Sequence, residues 1–316
     1  MPFSPVGPPT GGAGLFVLVV GSLSCDHTIF VEQLPGPGET VKGHGYQTVP
    51  GGKGLNQAVS AARQGAAVDM ACCVGGDEWG QRLLDVLSEE GIGAAFARTV
   101  PDQRSGTALI TVDSRGLNTI VVAAGANGQL SVEDVGAAVD HLGPGCVVLA
   151  QLEVPLDAVQ AAFSLAKAKG ATTVLNPSPV PQALSHELLG LADVVVPNEA
   201  EAAAISGRAS PEEALVWLQE NSGGSVALTL GERGALVAER GVPPVLVPTF
   251  KVDAVDTTAA GDAFCGALVA ALVGGLSFSD AARRACGAGA LATTVRGAVP
   301  SLPTAAAVDR LLADAC

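Results

Sequence analysis

The segment CVVLAQLEVPLDAVQAAFSLAKAKGATTVLNPS (Cys146–Ser178) decides the fold, because it has the pattern of a strand, a helix and a second strand in succession. Two short apolar runs, CVVLAQLE and TTVLNPS, end at polar residues, as strands buried on both faces usually do. The fragment between them repeats its apolar residues with a helical period and ends in Gly170, a common helix C-cap. The segment therefore predicts two strands of a parallel sheet joined by a helix.

The same alternation of apolar runs and helical patterns extends over most of the chain. Further strands are predicted at LFVLVVGSL, DMACCVG, DVVVPN and SVALTLG, and further helices at GLNQAVSAARQG, EWGQRLLDVLSEEG and SPEEALVWLQENS. This order implies an α/β fold with a mostly parallel central sheet and helices on both faces. The first 13 residues, MPFSPVGPPTGGA, are rich in Pro and Gly and predict a loose N-terminal tail. Residues 14–316 are then one α/β domain.

Two segments interrupt this alternation and have the pattern of hairpins. They are HTIFVEQLPGPGETVKGHGYQTVP (His27–Pro50) and GTALITVDSRGLNTIVVAAG (Gly106–Gly125), each with two β-rich runs around turn residues. We expect a small β-sheet lid over a site, discontinuous in sequence, formed by about residues 27–50 and 106–125. An antiparallel extension at the edge of the main sheet is the alternative.

The composition excludes several classes of function. Aromatic residues make up 3% of the chain and the formal net charge is −14, which together argue against a nucleic-acid partner. No continuous apolar run is long enough to cross a membrane, so no membrane partner is expected. The stretch GLFVLVVGSLSC (Gly14–Cys25) resembles a signal-peptide core, but the first Lys or Arg is Lys42, so a buried strand is favoured.

Cysteine and histidine usage indicates neither disulfides nor a zinc site. The seven cysteines are scattered without C-x-x-C spacing, and the four histidines include no H-x-x-x-H pair. A reducing compartment, the cytoplasm, is the expected location.

The stretch VDTTAAGDAFCGALV (Val255–Val269) places Asp262 between small residues and an apolar helix. Small residues allow a ligand to approach the backbone, and the first amides of a helix favour an anion such as phosphate. Asp262 could accept the proton of an attacking hydroxyl. The alternative is a plain helix N-cap, which the local sequence favours.

A second candidate site is PGGKGLNQAVSAARQG (Pro50–Gly65), in which paired glycines open a helix. Lys53 and Asn56 offer hydrogen-bond donors to a polyhydroxylated ligand, although a simple turn with a solvated lysine is equally compatible.

GAGALA (Gly287–Ala292) formally matches a dinucleotide fingerprint, but it follows a helix start and not a strand. Its glycines therefore predict close helix packing.

From about Gly21 to Pro303, the chain resembles the ribokinases of the PfkB-type carbohydrate and nucleoside kinase family. The resemblance rests on motifs in the family's order: GSLSCDH, PGPGETVKG, GGKGLNQAVSAARQGA, GGDEWG, AAGAN, QLEVP, NPSP, PNEAEA, TLGERGA, DTTAAGDAFCGAL and RGAVPSLP.

The resemblance implies roles for individual residues of this chain. Asp262 corresponds to the catalytic base, and the backbone amides of Ala259, Ala260 and Gly261 correspond to the anion hole for the transferred phosphoryl group. The residues implied to hold the sugar are Ser24, Asp26, Gly52, Lys53, Asn56 and Glu153. The residues implied to bind the nucleotide are Asn198, Thr229, Gly231, Gly234 and Gly261.

The resemblance also implies two kinds of metal site. Asn198 and Glu201 form the N-x-x-E motif associated with the Mg²⁺–phosphate network. The residues implied to form a loop for a monovalent cation, K⁺, are Asp256, Thr258, Gly297 and Ser301.

The expected activity is therefore that of an ATP-dependent sugar kinase that phosphorylates D-ribose at its 5-hydroxyl to give ribose 5-phosphate. Mg²⁺ is the expected cofactor, K⁺ an activator, and a homodimer through the lid the expected assembly. Two departures concern the acceptor: Ser24 replaces the usual Asn, and Leu55 replaces the usual Ala and adds bulk near the sugar. The alternatives are a nucleoside, fructose, deoxyribose or related sugar kinase, a non-catalytic sugar- or nucleotide-binding relative, and, from GAGALA alone, a nicotinamide-dependent dehydrogenase.

Overall fold

A computed structural model of the chain describes residues 16–182 and 184–315. The predicted N-terminal tail, residues 1–13, lies outside the described residues. In the described ranges there are thirteen strands and ten α-helices. The strands are β1 (Val17–Val20), β2 (Ser24–Val31), β3 (Gly43–Gly51), β4 (Val68–Gly75), β5 (Gly93–Val100), β6 (Gly106–Val112), β7 (Asn118–Ala123), β8 (Val147–Ala150), β9 (Thr172–Leu175), β10 (Val194–Val195), β11 (Ser225–Thr229), β12 (Ala235–Ala238) and β13 (Val245–Val247). The helices are α1 (Lys53–Arg63), α2 (Glu78–Glu89), α3 (Val132–Val139), α4 (Leu156–Ala168), α5 (His186–Leu191), α6 (Glu199–Ser206), α7 (Pro211–Asn221), α8 (Ala260–Val273), α9 (Phe278–Ala292) and α10 (Ala305–Asp314).

The main sheet has nine strands in the order β13-β12-β11-β10-β9-β8-β1-β4-β5. The seven strands from β11 to β5 are parallel, and β12 and β13 add an antiparallel edge. The segment Cys146–Ser178 forms β8, α4 and β9, with Val147 opposite Thr172 in a parallel pair. The predicted α/β fold with a mostly parallel sheet is confirmed.

The sheet has a core on each face, and β1 shows why its strands are apolar throughout. Val17 and Val19 belong to one core, which includes buried residues of α1, α8 and α9. Leu18 and Val20 belong to the other, which includes buried residues of α3 and α4. Alternate side chains of a strand point to opposite faces, so a strand between two helical layers needs no polar position. The predicted strand at the start of the chain is thus confirmed.

The two predicted hairpins form one separate four-stranded sheet in the order β3-β2-β6-β7. Each hairpin is antiparallel, and β2 pairs with β6 in parallel. Because this sheet shares no strand with the main sheet, the alternative of an edge extension is wrong. β2 starts at Ser24, three residues before the predicted boundary, since Ser24 already pairs with Gly51 and Gly106.

Close packing between α1 and α8 depends on Gly266. A Cβ atom there would lie 2.4 Å from Ser60 Cβ, and Ser60 Oγ donates to the Ala263 carbonyl at 3.0 Å. GAGALA lies inside α9, where a Cβ on Gly289 would lie 3.2 Å from the Ala260 carbonyl oxygen. The interpretation as packing residues is confirmed for Gly289, whereas a Cβ on Gly287 would make ordinary contacts from 3.5 Å.

Two further expectations can be compared with the described part of the chain. No helix in residues 16–182 and 184–315 is long and apolar enough to span a membrane. The six cysteines in these ranges are free and buried.

Candidate active site

A cavity of about 240 Å³ opens beside the N-terminus of α8. Asn176, Val196 and Thr229 line it at the ends of β9, β10 and β11, and the start of α8 lies opposite. In open parallel sheets, ligands bind at this carboxyl edge of the strands. The lining residues are Lys53, Asn176, Ser178, Val196, Asn198, Glu201, Thr229, Ala259, Gly261, Asp262 and Cys265.

Asp262 faces α1 and does not cap its own helix. It is the third residue of α8, whose N-cap position is Ala259, and its side chain is 8% exposed. Its Oδ1 accepts a hydrogen bond from Gln57 Nε2 at 2.8 Å, and its Oδ2 accepts one from Asn56 Nδ2 at 2.9 Å. The capping interpretation favoured by the local sequence is therefore wrong, because the partners of the carboxylate come from another helix.

The charges of the cavity centre on Asp262 and Lys53. Burial raises the pKa of Asp262, and this effect outweighs the opposing effects of the Lys53 charge and the hydrogen bonds from Gln57 and Asn56. Burial alone would lower the pKa of Lys53, but the negative charges of Asp262, Glu153 and Glu201 outweigh it and raise that pKa. The lysine is therefore a cation beside a carboxylate of increased basicity, which suits a general base next to a transferred anion.

The turn before α8 has an unusual backbone. Ala259 has φ 59°, and it is the only non-glycine residue with a positive φ in the described ranges. A Cβ on Gly261 would have no neighbour within 4 Å, so the cavity reaches this backbone directly. Gly261 lies in the first helical turn, where amides lack intrahelical acceptors, whereas the Ala260 amide makes a long turn hydrogen bond of 3.3 Å to Thr257. Of the three predicted anion-hole residues, Ala259 and Gly261 line the cavity.

The predicted sugar-binding residues lie together around the N-terminus of α1. Glu153 Oε2 accepts the Lys53 backbone amide at 3.0 Å, and Ser24 Oγ donates to Asp26 Oδ1 at 2.6 Å. Gly52 has φ 98°, and a Cβ there would lie 2.9 Å from the Ser24 nitrogen, so only glycine fits. Burial raises the pKa of Asp26, and the nearby Glu153 charge adds to this effect. The result is a compact group of carboxylates around one ammonium.

Asn56 and Leu55 have different relations to this group. Asn56 Oδ1 is buried and lacks a hydrogen-bond partner among the described residues, although its amide nitrogen binds Asp262. A buried acceptor without a partner is the kind of atom that a ligand hydroxyl satisfies. Leu55 is fully buried in the core with Val59 and Leu23. The core accommodates its bulk, and whether it affects the choice of sugar stays a prediction.

The predicted nucleotide residues follow β10 and β11. Asn198 and Glu201 form a reciprocal capping box at the start of α6: Asn198 Oδ1 accepts the Glu201 amide at 2.8 Å, and Glu201 Oε2 accepts the Asn198 amide at 2.9 Å. Both line the cavity with Thr229. Gly231 has φ 57° with open space at its Cβ position, whereas a Cβ on Gly234 would lie 2.1 Å from the Val247 carbonyl.

Three of the four predicted K⁺ residues lie together. Asp256 Oδ1 accepts the Thr258 amide and its Oδ2 accepts the Gly297 amide, both at 2.9 Å. Burial alone would raise the pKa of Asp256, but these hydrogen bonds outweigh it and lower that pKa. The carboxylate is therefore ionised. Ser301 Oγ instead donates to the Ala298 carbonyl at 2.8 Å, and no hydrogen bond in the described ranges joins it to the other three.

A buried amide network next to Asp262 was not predicted from the sequence. Gln57 Nε2 also donates to Asn176 Oδ1 at 3.0 Å, and Gln151 Nε2 donates to Gln57 Oε1 at 2.6 Å. Gln57 and Gln151 are completely buried. A possible signal was present, because a glutamine inside an apolar helical face or strand end needs partners. The sequence does not say which partners they are.

Comparison with known proteins identifies the family. The pfkB family of carbohydrate kinases matches residues 15–305. The chain belongs to this family. Its resemblance to the family, and with it the predicted carbohydrate-kinase class, is thereby confirmed, and the dehydrogenase alternative is wrong because its fingerprint lies within a helix.

Individual members of the pfkB family are similar to this chain in sequence and fold. The ribokinase of Haemophilus influenzae is 40% identical over 291 residues, 90% of this chain and 94% of its own. The crystal structure of ribokinase from Thermotoga maritima is 32% identical with a TM-score of 0.85 and covers 95% of this chain and 99% of its own. The structure of Arabidopsis thaliana ribokinase complexed with ribose and ATP is 29% identical with a TM-score of 0.87 and the same coverage.

Proposed function

We propose that this chain is an ATP-dependent ribose kinase, which transfers the γ-phosphoryl group of ATP to the 5-hydroxyl of D-ribose. The single observation that supports it best is the buried Asp262 carboxylate, which lines a cavity at the N-terminus of α8 with Lys53. The similarity to ribokinases, including one complexed with ribose and ATP, supports ribose as the acceptor.

In the proposed reaction, Asp262 accepts the proton of the 5-hydroxyl while the hydroxyl oxygen attacks the γ-phosphorus. The bond from the γ-phosphorus to the bridging oxygen breaks, and ADP leaves with the electron pair. The backbone of Ala259–Gly261 and the first turn of α8 stabilise the negative charge of the transferred group, with the Lys53 ammonium nearby. This arrangement is typical of phosphoryl transfer, in which positioning and electrostatics do most of the catalysis.

Ribose is proposed to lie against Ser24, Asp26, Gly52, Lys53, Asn56 and Glu153. The unpartnered Asn56 Oδ1 is available as an acceptor for a sugar hydroxyl, and the carboxylates of Asp26 and Glu153 accept others. On the nucleotide side, Thr229 and the open backbone at Gly231 are proposed to contact ATP.

Two cations belong to the proposal. Mg²⁺ would be held near Asn198 and Glu201, whose amide and carboxylate oxygens suit it, and would neutralise phosphate charge. K⁺ would be held by the loop of Asp256, Thr258, Gly297 and Ser301. The ionised Asp256 carboxylate fits a cation there, and its two hydrogen bonds tie the loop segments together.

The four-stranded sheet is proposed to act as a lid and as the contact in a cytoplasmic homodimer. β7 is exposed along its whole length, and Leu109, Ile120, Val121 and Val122 expose apolar side chains on this sheet. Exposed apolar patches of this kind often mark protein interfaces. Sedimentation velocity tests the dimer, because a single species at the monomer mass of 31.3 kDa would contradict it.

The acceptor is tested by ADP release in the presence of ribose, deoxyribose, fructose and nucleosides. We expect ribose to give the highest kcat/KM. A higher value for another acceptor would favour a different kinase of the family. No ADP release with any acceptor would favour a binding protein without catalysis.

The role of Asp262 is tested by Asp262→Asn. The new side chain keeps the shape of aspartate, and its oxygen can still accept the hydrogen bond from Gln57, so the fold tolerates it. We expect kcat to fall about 10²- to 10⁴-fold with sugar KM within a few-fold, because only the proton transfer is lost. Asp157→Asn, in the first turn of α4 and exposed, is the control and should retain wild-type kcat. Unchanged turnover in Asp262→Asn would refute the assignment.

A further inference from the structure

The amide network below Asp262 has a fixed orientation that starts at a main-chain carbonyl. The Val196 carbonyl can only accept, so it fixes the Asn176 side chain with Nδ2 toward it at 2.8 Å and Oδ1 toward Gln57. Gln57 must then present its nitrogen to Asn176, which turns its oxygen toward Gln151. Each amide in this chain has one possible orientation, because its neighbour supplies only a donor or only an acceptor.

The network has one consequence for Asp262. The two N–H groups of Gln57 Nε2 bind Asn176 Oδ1 and Asp262 Oδ1, and its oxygen is engaged by Gln151. Gln57 can therefore donate to Asp262 but cannot accept a proton from it. This contact stabilises the carboxylate more than a carboxylic acid with its proton on Oδ1, because a charged oxygen is the stronger acceptor.

Asn56 differs from Gln57 in this respect. Its Oδ1 has no partner among the described residues, so without bound sugar its amide can rotate and accept a hydrogen bond from a protonated Asp262 Oδ2. The network therefore disfavours a proton on Oδ1, where Gln57 presents only donors, and leaves Oδ2 as the oxygen whose neighbour can adapt to protonation.

The network also includes one buried atom without a hydrogen-bond partner. Gln151 Oε1 is buried without a hydrogen-bond partner in the described ranges, and it lies against the backbone at Gly21, where a Cβ would be 2.2 Å away. A buried acceptor left unpaired is destabilising. Rotating the Gln151 amide would place its oxygen against Gln57 Oε1, which Asn176 keeps turned toward Gln151, so the chain that ends at Asp262 maintains this orientation.

We propose that Gln57 is a positioning residue that keeps the Asp262 carboxylate ionised and directs proton uptake to Oδ2, and that Gln151 and Asn176 fix its amide for this purpose. This inference rests on the proposed role of Asp262 as the base. The hydrogen bond from Gln57 also counteracts the rise in the pKa of Asp262 that burial causes.

The test is the pH dependence of kcat in Gln57→Met, which keeps the side-chain volume and removes the donor. A base works only when ionised, so loss of the donor should raise the pKa of Asp262 and move the acid limb of the profile to higher pH. Loss of a hydrogen bond to a charged group predicts a shift of about one pH unit, an about tenfold loss of kcat below the pKa, and recovery at high pH. KM for ribose should change less than about twofold, since Gln57 is completely buried and does not line the cavity.

Gln64→Met is the matched control. Gln64 is a second buried glutamine of the same segment, and its Nε2 binds the Pro303 carbonyl at 2.9 Å, away from Asp262. Its acid limb should coincide with that of the wild type. A shift of equal size in both variants, or a Gln57→Met profile that coincides with the wild type, would overturn the proposal.

Two further measurements test the proposal if Gln57→Met does not fold or if no ADP release is detected. Gln151→Met removes the donor to Gln57 Oε1 without touching Asp262. It should shift the acid limb in the same direction by a smaller amount, because Asn176 still orients the Gln57 amide; no shift would overturn the role of Gln151. Titration of ¹³C-labelled aspartate carboxyls by NMR, with Asp262→Asn as the assignment, measures the same pKa without turnover. A wild type that releases no ADP would refute the proposed function, while this titration still decides the role of Gln57.

Discussion

Gly266→Ala should move α1 away from α8 and thereby displace the partners of Asp262. A Cβ at this position would lie 2.4 Å from Ser60 Cβ and 2.6 Å from the Gln57 carbonyl oxygen. Ordinary carbon contacts are about 3.5 Å, so the helices must separate locally by about 1 Å. The Gln57 contact belongs to the backbone, and a change of rotamer cannot relieve it.

The magnitude follows from two opposing effects. Overpacking of this kind lowers the free energy of unfolding by about 1–3 kcal/mol, and the higher helix propensity of alanine offsets about 1 kcal/mol of that loss. Because the contacts are far below van der Waals distance, we expect a net loss of about 1–2 kcal/mol. The hydrogen bonds to Asp262, now 2.8 and 2.9 Å, would stretch beyond normal length. A displacement of about 1 Å predicts a fall in kcat of up to about 10²-fold.

Urea unfolding followed by the fluorescence of Trp79 and Trp217 measures the stability, and ribose-dependent ADP release measures kcat. Gly136→Ala is the control, because Gly136 is in α3 and a Cβ there meets nothing within 4 Å. It should raise stability by about 0.5–1 kcal/mol and leave kcat unchanged. Wild-type stability and kcat in Gly266→Ala would refute the argument that this glycine sets the distance between the two helices.

Two other predictions concern the start of α8. Asp262→Asn should unfold at a higher temperature than the wild type at pH 8, and the difference should shrink toward pH 4. Burial raises the folded-state pKa of Asp262, so the wild type loses stability as the pH rises through that pKa. The variant has no carboxyl group there and does not lose it. A difference in unfolding temperature that grows at low pH would contradict this. Ala259→Gly should raise the free energy of unfolding by roughly 0.5–1 kcal/mol in urea titrations, because glycine adopts φ 59° without strain, and a loss of stability would show that the alanine is not strained.

The sequence was sufficient for the features that depend on local pattern. The parallel strands other than β5, the two hairpins of the small sheet and the packing of Gly289 in α9 each follow from periodicity, turn residues or the order of elements. The antiparallel edge of β12 and β13 was not predicted, because these strands are four and three residues long and their apolar runs are interrupted by glycine and proline. The strand β5 and the helices α3, α5, α6 and α10 were also not predicted.

The error about Asp262 has a definite physical origin. Local sequence favoured a helix cap, since an aspartate before an apolar run usually binds the amides of its own helix. Its real partners, Asn56 and Gln57, lie 206 and 205 residues away in the chain. A contact of this kind depends on the close packing of α1 against α8 and leaves no local pattern. Of the site residues taken from the family resemblance, those that line one cavity are Lys53, Asn198, Glu201, Thr229, Ala259, Gly261 and Asp262, whereas the roles assigned to them await the experiments above.

Helix α1 explains how residues so far apart in sequence are brought to one site. The Lys53 amide at its start binds Glu153, and Gln57 binds Asp262 one turn later. At its end, Arg63 donates to the Val299 and Leu302 carbonyls, in the segment that contains Ser301. Eleven helical residues span about 16 Å and change length very little, so one rigid helix fixes the distances between the proposed sugar site, the base and the cation loop. A displacement of α1 should therefore affect all three together, whereas a side chain such as Gln57 can be changed to affect only the base.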